Sequence, residues 1–368
     1  MKKLAANLAI LALVLPSGAQ VCPPGSPDDT AAIQSAVDLS PTVQFEARYY
    51  CVDARRGVRI PSERMLNLNG ATVGILPGCT VNCKAFETVP GSAGVKLRGP
   101  GTIVGDLTPA PGFSIGFRGD SVSGLEIVDV TFRSWRYDGI WLGGNLGTHD
   151  AEIRNVTVED FGRNGLSIVN GSGFTVDRFA GRRSTPATLL GAAVDVEGNP
   201  GDQVLDVTIT NSLAEDVVIG FYMHAGHGRQ GYGWKITNSV VRNFARYGVI
   251  FNSSAHGFIL DNRLYAPTPN SPAVAVNEGA LRALRHLQAY DKAAAFVPVG
   301  ISVGATGAIT ANDVTLAGNR VEGTPRSAIL AGVVHPRVFG NAWVSGSLAT
   351  VAPSATIPAT DGVQLYVP

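Results

Sequence analysis

The chain has 368 residues, enough to bury a large core in one elongated domain or in two compact ones. It has 29 basic and 29 acidic residues, and only 16% of its residues are charged, so it lacks the basic surface that nucleic-acid binding requires. A hydrophobic content of 45% excludes a disordered chain, and 44 glycines with 7% aromatic residues favour short strands and tight turns over helices.

The first 19 residues are typical of a signal peptide. Two lysines near the start precede an apolar stretch over residues 4–15, and small residues follow up to Ala19, after which we place the cleavage site. The apolar stretch is shorter than the roughly 18 residues that a membrane span requires, and no later stretch reaches that length. We therefore expect an exported protein, periplasmic or extracellular, with no membrane span and with its folded domain over residues 20–368.

The four cysteines lie in the first quarter of the sequence, at Cys22, Cys51, Cys79 and Cys83. An even number of cysteines in an exported protein indicates disulfides, and four cysteines allow three pairings. Proximity alone favours Cys22–Cys51 and Cys79–Cys83. A zinc site is the alternative, although the spacings are irregular and no histidine lies near them.

A short segment with the pattern Gly/Ala–apolar–x–apolar–x recurs down the chain. Its copies cover residues 139–143, 165–169, 193–197, 220–224, 248–252, 273–277, 300–304 and 328–332. A repeat of about 27 residues with two or three strands and no helix is typical of a parallel β-helix coil. Since side chains alternate along a strand, ten apolar residues are predicted to point inward. They are Ile140, Leu142, Leu166, Ile168, Val194, Val196, Phe221, Met223, Val249 and Phe251.

A second series precedes most of these segments by about 12 residues and places an Asp or Asn at one position of each repeat. These residues are Asp129, Asn155, Asn211, Asn238 and Asn262. Asn tolerates the left-handed backbone of a sharp bend and can form hydrogen bonds with the Asn of the next coil. We expect a stacked bend at this position.

Two motifs resemble those of the pectin-lyase-like superfamily, in the group of pectate lyases, rhamnogalacturonases and epimerases. Residues 27–34, PDDTAAIQ, look like the entry-helix motif of that group, and residues 98–106, RGPGTIVGD, look like its glycine-rich turn. The resemblance covers about residues 25–345. It implies an all-β fold, a single-stranded right-handed parallel β-helix with a short N-terminal capping helix. Asp29 is placed to cap that helix, whose apolar residues would close the end of the core.

Residues 278–296 interrupt the repeat. Leu281, Leu284, Leu287 and Tyr290 have helix-like spacing, with alanines among them. We expect a helical insertion that replaces a surface turn. It would either form a wall beside a substrate groove or brace the side of the β-helix.

Polar and aromatic residues are concentrated at the outward positions of the middle coils, whereas the coils from Gly300 onward have only small groups there. The residues concerned are Trp141, Asp195, Glu197, Tyr222, His224, Asn252 and Asn277. This concentration favours a binding or catalytic groove over plain solvated surface, and a groove along an elongated β-helix suits a linear polysaccharide. Trp141 and Tyr222 are candidates for stacking on sugar rings, although an exposed tryptophan can equally pack under a loop.

Asp195 and Glu197 are the predicted catalytic carboxylates, because both point outward from one strand with Cα atoms roughly 6.6–7 Å apart. Flexible carboxylates at this spacing suit either the retaining or the inverting geometry of glycosidases. His224 is expected beside Glu197 on the next coil, where it would tune that carboxylate or act as a base itself. A calcium site and ordinary solvated charges are the alternatives.

Two families of the superfamily add candidates. Residues 137–140, YDGI, look like the first catalytic motif of polygalacturonases and point to Asp138 as a substrate-binding residue. Residues 192–197, AAVDVE, keep the Asp of the mannuronan-epimerase motif but have Ala192 at its Tyr, so proton transfer would fall to Tyr222 or His224.

Three arginines are candidates for neutralising a uronate carboxylate. Arg246 matches the Arg of the second epimerase motif, and Arg163 and Arg136 lie at equivalent entries to strands. The alternative is that these arginines brace the carbonyl groups of the turns.

These observations favour an exported enzyme that cleaves glycosidic bonds of a polysaccharide, in the manner of a glycoside hydrolase. A polysaccharide lyase or C5-epimerase acting on a uronate polymer is the first alternative, and a non-catalytic glycan-binding β-helix is the second. We expect a monomer that binds a polysaccharide or oligosaccharide and no nucleic acid. We expect no cofactor, with calcium as the exception to be tested.

Overall fold

The computed structural model describes residues 22–351 except 24, 108–111, 185–190, 226–230, 267–297, 305–310, 325, 332 and 345–346. The predicted signal peptide and the predicted helical insertion at 278–296 lie outside the described residues. In the described part, the regular structure consists of one α-helix, Thr30–Leu39, and parallel strands. No helix of this part is long and apolar enough to cross a membrane.

The chain winds through three parallel sheets, so that each strand pairs with the equivalent strand of the next coil. The first sheet, here called the site sheet, contains Val58–Ile60, Cys83–Thr88, Ser114–Asp120, Asp138–Gly143, Asn164–Ile168, Ala192–Glu197, Leu213–His224, Val240–Asn252, Val299–Gly304, Arg326–Ala331 and Ser347–Val351. This is the predicted all-β parallel β-helix.

The other two sheets complete each coil. The second contains Thr42–Gln44, Met65–Asn67, Lys96–Val104, Glu126–Arg133, Thr148–Arg154, Gly171–Asp177, Val204–Thr210, Gly231–Tyr232, Lys235–Thr237, Ser254–Ala255, Phe258–Leu260, Ala311–Asn312, Thr315–Ala317, Val333–Val334 and Arg337–Phe339. The third contains Tyr49–Val52, Thr72–Ile75, Thr157–Phe161, Ala180–Ser184, Arg263–Tyr265, Arg320–Glu322 and Ala342–Trp343. Four longer strands bend at a corner and pair in two sheets, which makes the coil continuous.

The interior of the coils is filled by the residues that alternation predicts. All ten residues predicted to point inward are buried. Five of them stack in register along the axis: Ile140, Leu166, Val194, Phe221 and Val249. Each buried side chain of this size contributes about 1.5–3 kcal/mol of hydrophobic stabilisation, so this column fixes how the coils align.

A small residue begins each repeat of the site sheet because the adjacent third sheet leaves no room for a side chain. A Cβ atom on Gly139 would lie 2.4 Å from Cγ1 of Val158, and one on Gly220 would lie 2.5 Å from Cγ1 of Val241. Both valines are fully buried core residues. The recurring Gly or Ala therefore lets the site sheet pack closely against the third sheet at the same place in each coil.

The stacked bends form at four of the five predicted positions. Asp129, Asn155, Asn211 and Asn238 have φ values between 49° and 60°, and Nδ2 of Asn155 donates to Oδ1 of Asp129 at 2.6 Å. The prediction for Asn262 is wrong, because the preceding Asp261 takes the left-handed backbone with φ 55°.

Asn262 instead lies inside the coil and starts a separate ladder. Its Nδ2 donates to Oδ1 of Asn319 at 3.0 Å, and Nδ2 of Asn319 donates to Oδ1 of Asn341 at 2.9 Å. Buried amides can hydrogen-bond to equivalent amides on neighbouring coils, so Asn is satisfied at either position. The sequence pattern does not distinguish the two.

The helix Thr30–Leu39 closes the N-terminal end of the core, with Ile33 and Val37 buried as predicted. The predicted capping role of Asp29 is wrong in its detail. Asp29 lies at the N-cap, but its Oδ2 accepts a hydrogen bond from the backbone N–H of Cys51 at 2.8 Å and none from the helix. Asp29 therefore ties the start of the helix to the first coils.

Both predicted disulfides, Cys22–Cys51 and Cys79–Cys83, are present. None of the described cysteines is free, so the alternative of a zinc site on these residues is excluded. The first disulfide joins the segment before the helix to the strand Tyr49–Val52, and the second closes a short loop before Cys83–Thr88.

Candidate active site

Two columns of side chains run along the outer face of the site sheet. The first column contains Trp141, Ser167, Asp195, Tyr222, Ile250 and Ser302 in register. The second contains Glu197, His224, Asn252 and Gly304. Neighbours within a column are about 4.8 Å apart. The structure therefore brings Asp195, Glu197, Tyr222 and His224 together as the sequence predicts.

The prediction for the second column is wrong at one position. Asn277 was expected to follow Asn252, but the strand Val299–Gly304 pairs directly with Val240–Asn252, so Gly304 occupies the next place. Asn277 itself lies outside the described residues. The segment 273–277 has the alternation of a coil strand, and alternation alone does not determine which strands pair.

Asp195 is more enclosed than its outward direction predicts. The residue is only 3% exposed, and its Oδ2 accepts a hydrogen bond from Nδ2 of Asn164 at 2.6 Å. Its Oδ1 is buried and has no hydrogen-bond partner among the described residues. A buried oxygen without a partner is costly, so Oδ1 has an unused capacity for a hydrogen bond.

The surroundings of Asp195 favour its protonated form. Burial raises the pKa of this carboxyl well above its usual value, and the negative charges of Glu197 and Asp138 raise it further. The guanidinium of Arg163 and the hydrogen bond from Asn164 oppose the shift without cancelling it. Asp195 therefore keeps its proton to a higher pH than an ordinary aspartate does, which suits the role of a proton donor.

Glu197 lies two residues further along the same strand and is more accessible, with 31% of its side chain exposed. Nδ1 of His224, on the next coil, lies 3.9 Å from Oε1 of Glu197. The ring of His224 stacks on the ring of Tyr222, with centroids 5.5 Å apart and planes inclined by 7°. The strand thus presents a buried carboxyl beside an accessible one.

Tyr222 lies next to Asp195 in its column. Burial raises the pKa of the Tyr222 phenol, and the negative charges of Glu197 and Asp195 raise it further, against the opposing charge of Arg246. A phenol held in this way stays protonated. Tyr222 is therefore suited to donate a hydrogen bond and poorly suited to remove a proton.

The polygalacturonase resemblance selected Asp138 as a substrate-binding residue, and the structure corrects this. Asp138 is fully buried, and its two oxygens are bound by Nε and Nη2 of Arg163, the Nε contact at 2.8 Å. Burial lowers the pKa of Arg163, but the charge and hydrogen bonds of Asp138 outweigh it and raise the value overall. Asp138 and Arg163 form a partly buried ion pair behind the site, and the Asp138 carboxylate does not reach the surface.

Sequence reasoning missed two residues that join this ion pair to Asp195. Ser167 donates to Oδ2 of Asp138 at 3.2 Å, and Nδ2 of Asn164 donates to Ser167 at 3.0 Å as well as to Asp195. Both residues are fully buried. The sequence contains one signal for Ser167: the repeat places it between Trp141 and Asp195 in the first column.

The remaining candidates lie around this centre. Trp141 is half-buried, and the guanidinium of Arg118 lies 4.9 Å from the centre of its ring. Arg246 lies against the ring of Tyr247 at 5.2 Å. Arg136 is buried, and its Nη2 donates to the backbone carbonyl of Gly112 at 3.1 Å, so for this arginine the alternative role of bracing a turn is correct.

In the part of the chain that the structure describes, no three His, Cys, Asp or Glu side chains come together as metal ligands. A cation at this site would have Asp195 and Glu197 as its nearest carboxylates. Asp195 already accepts one hydrogen bond, and its protonated form is a poor metal ligand.

Solved structures with the same architecture come from phages and bacteria. Tailspike protein 3 of bacteriophage CBA120 matches 89% of this chain at 14% identity with a TM-score of 0.58. The tailspike protein of E. coli bacteriophage HK620 matches 93% at 14% identity with a TM-score of 0.57. An alginate lyase from Paenibacillus sp. strain FPU-7 matches 90% at 13% identity with a TM-score of 0.55.

The shares of the matched proteins differ. This chain spans 48% of the CBA120 protein, 64% of the HK620 protein and 97% of the alginate lyase. At these identities the similarity establishes the fold, and the right-handed parallel β-helix implied by the superfamily resemblance is confirmed. No family model and no curated protein matches the chain.

Proposed function

We propose that this protein is an exported enzyme that hydrolyses glycosidic bonds of a polysaccharide with Asp195 as the acid and Glu197 as the second carboxylate. The proposal rests on one observation: Asp195 is a buried carboxyl whose surroundings raise its pKa and whose Oδ1 has no partner in the described structure, and a more accessible carboxyl group, that of Glu197, lies beside it. Two carboxyl groups whose environments differ in this way are the usual acid and base of glycosidases.

In this proposal each carboxyl group has its own role. A glycosidic oxygen would take the place of the missing partner of Asp195 Oδ1 and receive its proton as the bond to the sugar carbon breaks. Glu197 would attack that carbon or remove a proton from an attacking water. His224, when protonated, would stabilise the charge of Glu197.

The known structures support a polysaccharide as the substrate class. The HK620 tailspike was solved in complex with a pentasaccharide, and the Paenibacillus protein is an alginate lyase. Both have the same fold over nine tenths of this chain. The predicted signal peptide and the two disulfides support action outside the cytoplasm.

Elimination on a uronate polymer is the second candidate, because Tyr222 lies beside both carboxylates and stacks on His224. A lyase must remove the C5 proton of the uronate with a base. The raised pKa of Tyr222 works against that role, so His224 would have to act as the base. For this reason we favour hydrolysis.

A panel of neutral and acidic polysaccharides tests the proposal. Mature protein would be assayed in parallel for new reducing ends and for the ultraviolet absorbance of unsaturated uronates. We expect reducing ends without absorbance, and we expect both Asp195→Asn and Glu197→Gln to lose the signal. Absorbance that accompanies the reducing ends would instead establish a lyase, and binding without either product would establish a glycan-binding protein.

A further inference from the structure

The orientation of the Asn164 amide is determined by its neighbours. The backbone N–H of Ala192 donates to Oδ1 of Asn164 at 3.3 Å, which fixes that atom as the oxygen. The Nδ2 group therefore faces the opposite side, where it donates to Asp195 Oδ2 at 2.6 Å and to Ser167 Oγ at 3.0 Å. Asn164 is fully buried, so water does not compete for these bonds.

The ion pair between Arg163 and Asp138 determines which groups donate and which accept in the hydrogen-bond network behind Asp195. Arg163 donates to both oxygens of Asp138, and the Ser167 hydroxyl donates its only proton to Oδ2 of Asp138 at 3.2 Å. Having donated that proton, Ser167 Oγ acts only as an acceptor, from Asn164 Nδ2 and from Arg163 Nη2 at 3.3 Å. The amide thus cannot turn over without losing its contacts to Ser167 and to Ala192.

The same geometry decides which oxygen of Asp195 holds the proton. Oδ2 receives a hydrogen bond at 2.6 Å, which engages that oxygen as an acceptor. Oδ1 is buried and has no partner among the described residues. A neutral carboxyl in this position keeps its proton on Oδ1.

We infer that Asn164 is a positioning residue that holds the proton of Asp195 on Oδ1, the oxygen that takes no part in the network of Asn164, Ser167 and Asp138. The inference rests on the proposed role of Asp195 as the acid. The amide does not contact the reacting atoms, and it acts through the orientation and ionisation of Asp195 alone.

Several charged and titratable groups face Asp195 and must be considered with it. Arg163 and Asp138 lie on the preceding coils, Glu197 lies on the same strand, and Tyr222 lies on the next. Removing the Asn164 hydrogen bond leaves all four in place. A change in the pKa of Asp195 after this substitution is therefore due to the loss of the Asn164 amide.

The test is an NMR titration of mature protein labelled with ¹³C at the aspartate carboxyl, with Asp195→Asn used to assign the signal. Asn164→Leu removes the donor with little change in volume. Because the lost hydrogen bond stabilises the carboxylate, we expect the pKa of Asp195 to rise by about one to two units. The alkaline limb of kcat/KM against pH should move upward by the same amount, and kcat should fall at its optimum.

Ser167→Ala is the matched control. It removes the contacts of Ser167 to Asp138, Asn164 and Arg163 and leaves the bond from Asn164 to Asp195 in place. We expect a lower melting temperature and a change in the pKa of Asp195 less than half of that in Asn164→Leu. An equal change in both variants would overturn the inference, because general loosening would then explain it.

A measurement on the wild type keeps the test valid if Asn164→Leu does not fold. The side-chain amide signal of Asn164 should titrate with the same midpoint as the carboxyl of Asp195, and an amide signal that does not respond would overturn the inference. The proposed function is tested separately. If the two signals titrate together but Asp195→Asn keeps full activity, Asp195 is not the acid and only the proposed function fails.

Discussion

Nδ1 of His224 lies 3.9 Å from Oε1 of Glu197, directly across two paired strands of the site sheet. This distance exceeds a hydrogen bond but lies within reach of a charge interaction. Neighbours in a column of a β-helix come from residues about 27 apart in sequence, so the contact results from the repeat itself. The relationship assigns His224 an electrostatic effect on Glu197, with no proton held between them.

His224→Ala should therefore reduce kcat less than either carboxylate substitution. We expect kcat to fall by less than about tenfold, because a partly exposed ion pair contributes at most about 1 kcal/mol. Loss of a general acid or base typically costs about 10²–10⁴-fold. His256→Ala, at a half-exposed histidine in the bend between Ser254–Ala255 and Phe258–Leu260, is the control and should leave kcat unchanged. If His224→Ala is as damaging as Glu197→Gln, His224 is itself the base.

Asp195→Asn should change the pH dependence of stability in a direction that burial determines. The folded-state pKa of Asp195 is raised above its unfolded value of about 3.9, so the folded state binds the proton more tightly. This stabilisation is fully present below that value and is lost as the pH rises through the raised pKa. Asparagine mimics the neutral carboxyl and does not titrate.

The melting temperature of Asp195→Asn relative to the wild type should therefore increase between pH 4 and pH 8. Asp150→Asn is the matched control, because Asp150 is exposed and its φ of 53° suits asparagine. We expect the difference in melting temperature between this control and the wild type to stay constant from pH 4 to pH 8. If the difference in melting temperature between Asp195→Asn and the wild type is also constant, Asp195 is ionised in the folded protein.

The architecture is predictable from the sequence because it depends on local periodicity. Alternation of apolar residues predicts which side chains of each strand face the core, and the recurring Gly or Ala marks the equivalent position in each repeat. Those two features alone place Asp195 beside Tyr222 and Glu197 beside His224. No knowledge of long-range contacts is required for this.

The burial of the site is not predictable in the same way. Asp195 occupies a position that alternation allows to be solvated, yet Asn164 of the preceding coil covers it, and Ser167 links Asn164 to Asp138 and Arg163. Such enclosure depends on the lengths and directions of side chains from three coils. A pattern within one strand does not contain that information.

The two disulfides should differ in their contribution to stability. Cys22–Cys51 spans 29 residues and Cys79–Cys83 spans 4, so the first restricts the unfolded chain far more. We expect Cys22→Ser with Cys51→Ser to cost about 3 kcal/mol in the free energy of unfolding. The matched pair Cys79→Ser with Cys83→Ser should cost clearly less in urea denaturation. Equal costs would mean that packing, and not chain entropy, determines the effect.

Trp141→Ala should weaken substrate binding with little effect on turnover. Trp141 lies two coils before Asp195 in the same column, about 10 Å along the axis, which places its ring on a sugar away from the bond that is cleaved. An interaction at that distance is made equally in the ground state and the transition state, so its loss raises KM and leaves kcat nearly unchanged. We expect KM to rise threefold to tenfold, because the stacking of the ring on a sugar contributes about 0.5–1.5 kcal/mol.

Two controls separate this role from simple packing, since the ring also contacts the guanidinium of Arg118. Trp141→Phe retains an aromatic face and should recover part of the lost affinity. Trp343→Ala removes a partly buried tryptophan on the third sheet, and it should lower the melting temperature without changing KM. If Trp141→Ala behaves like Trp343→Ala, the ring covers the sheet and does not bind the sugar.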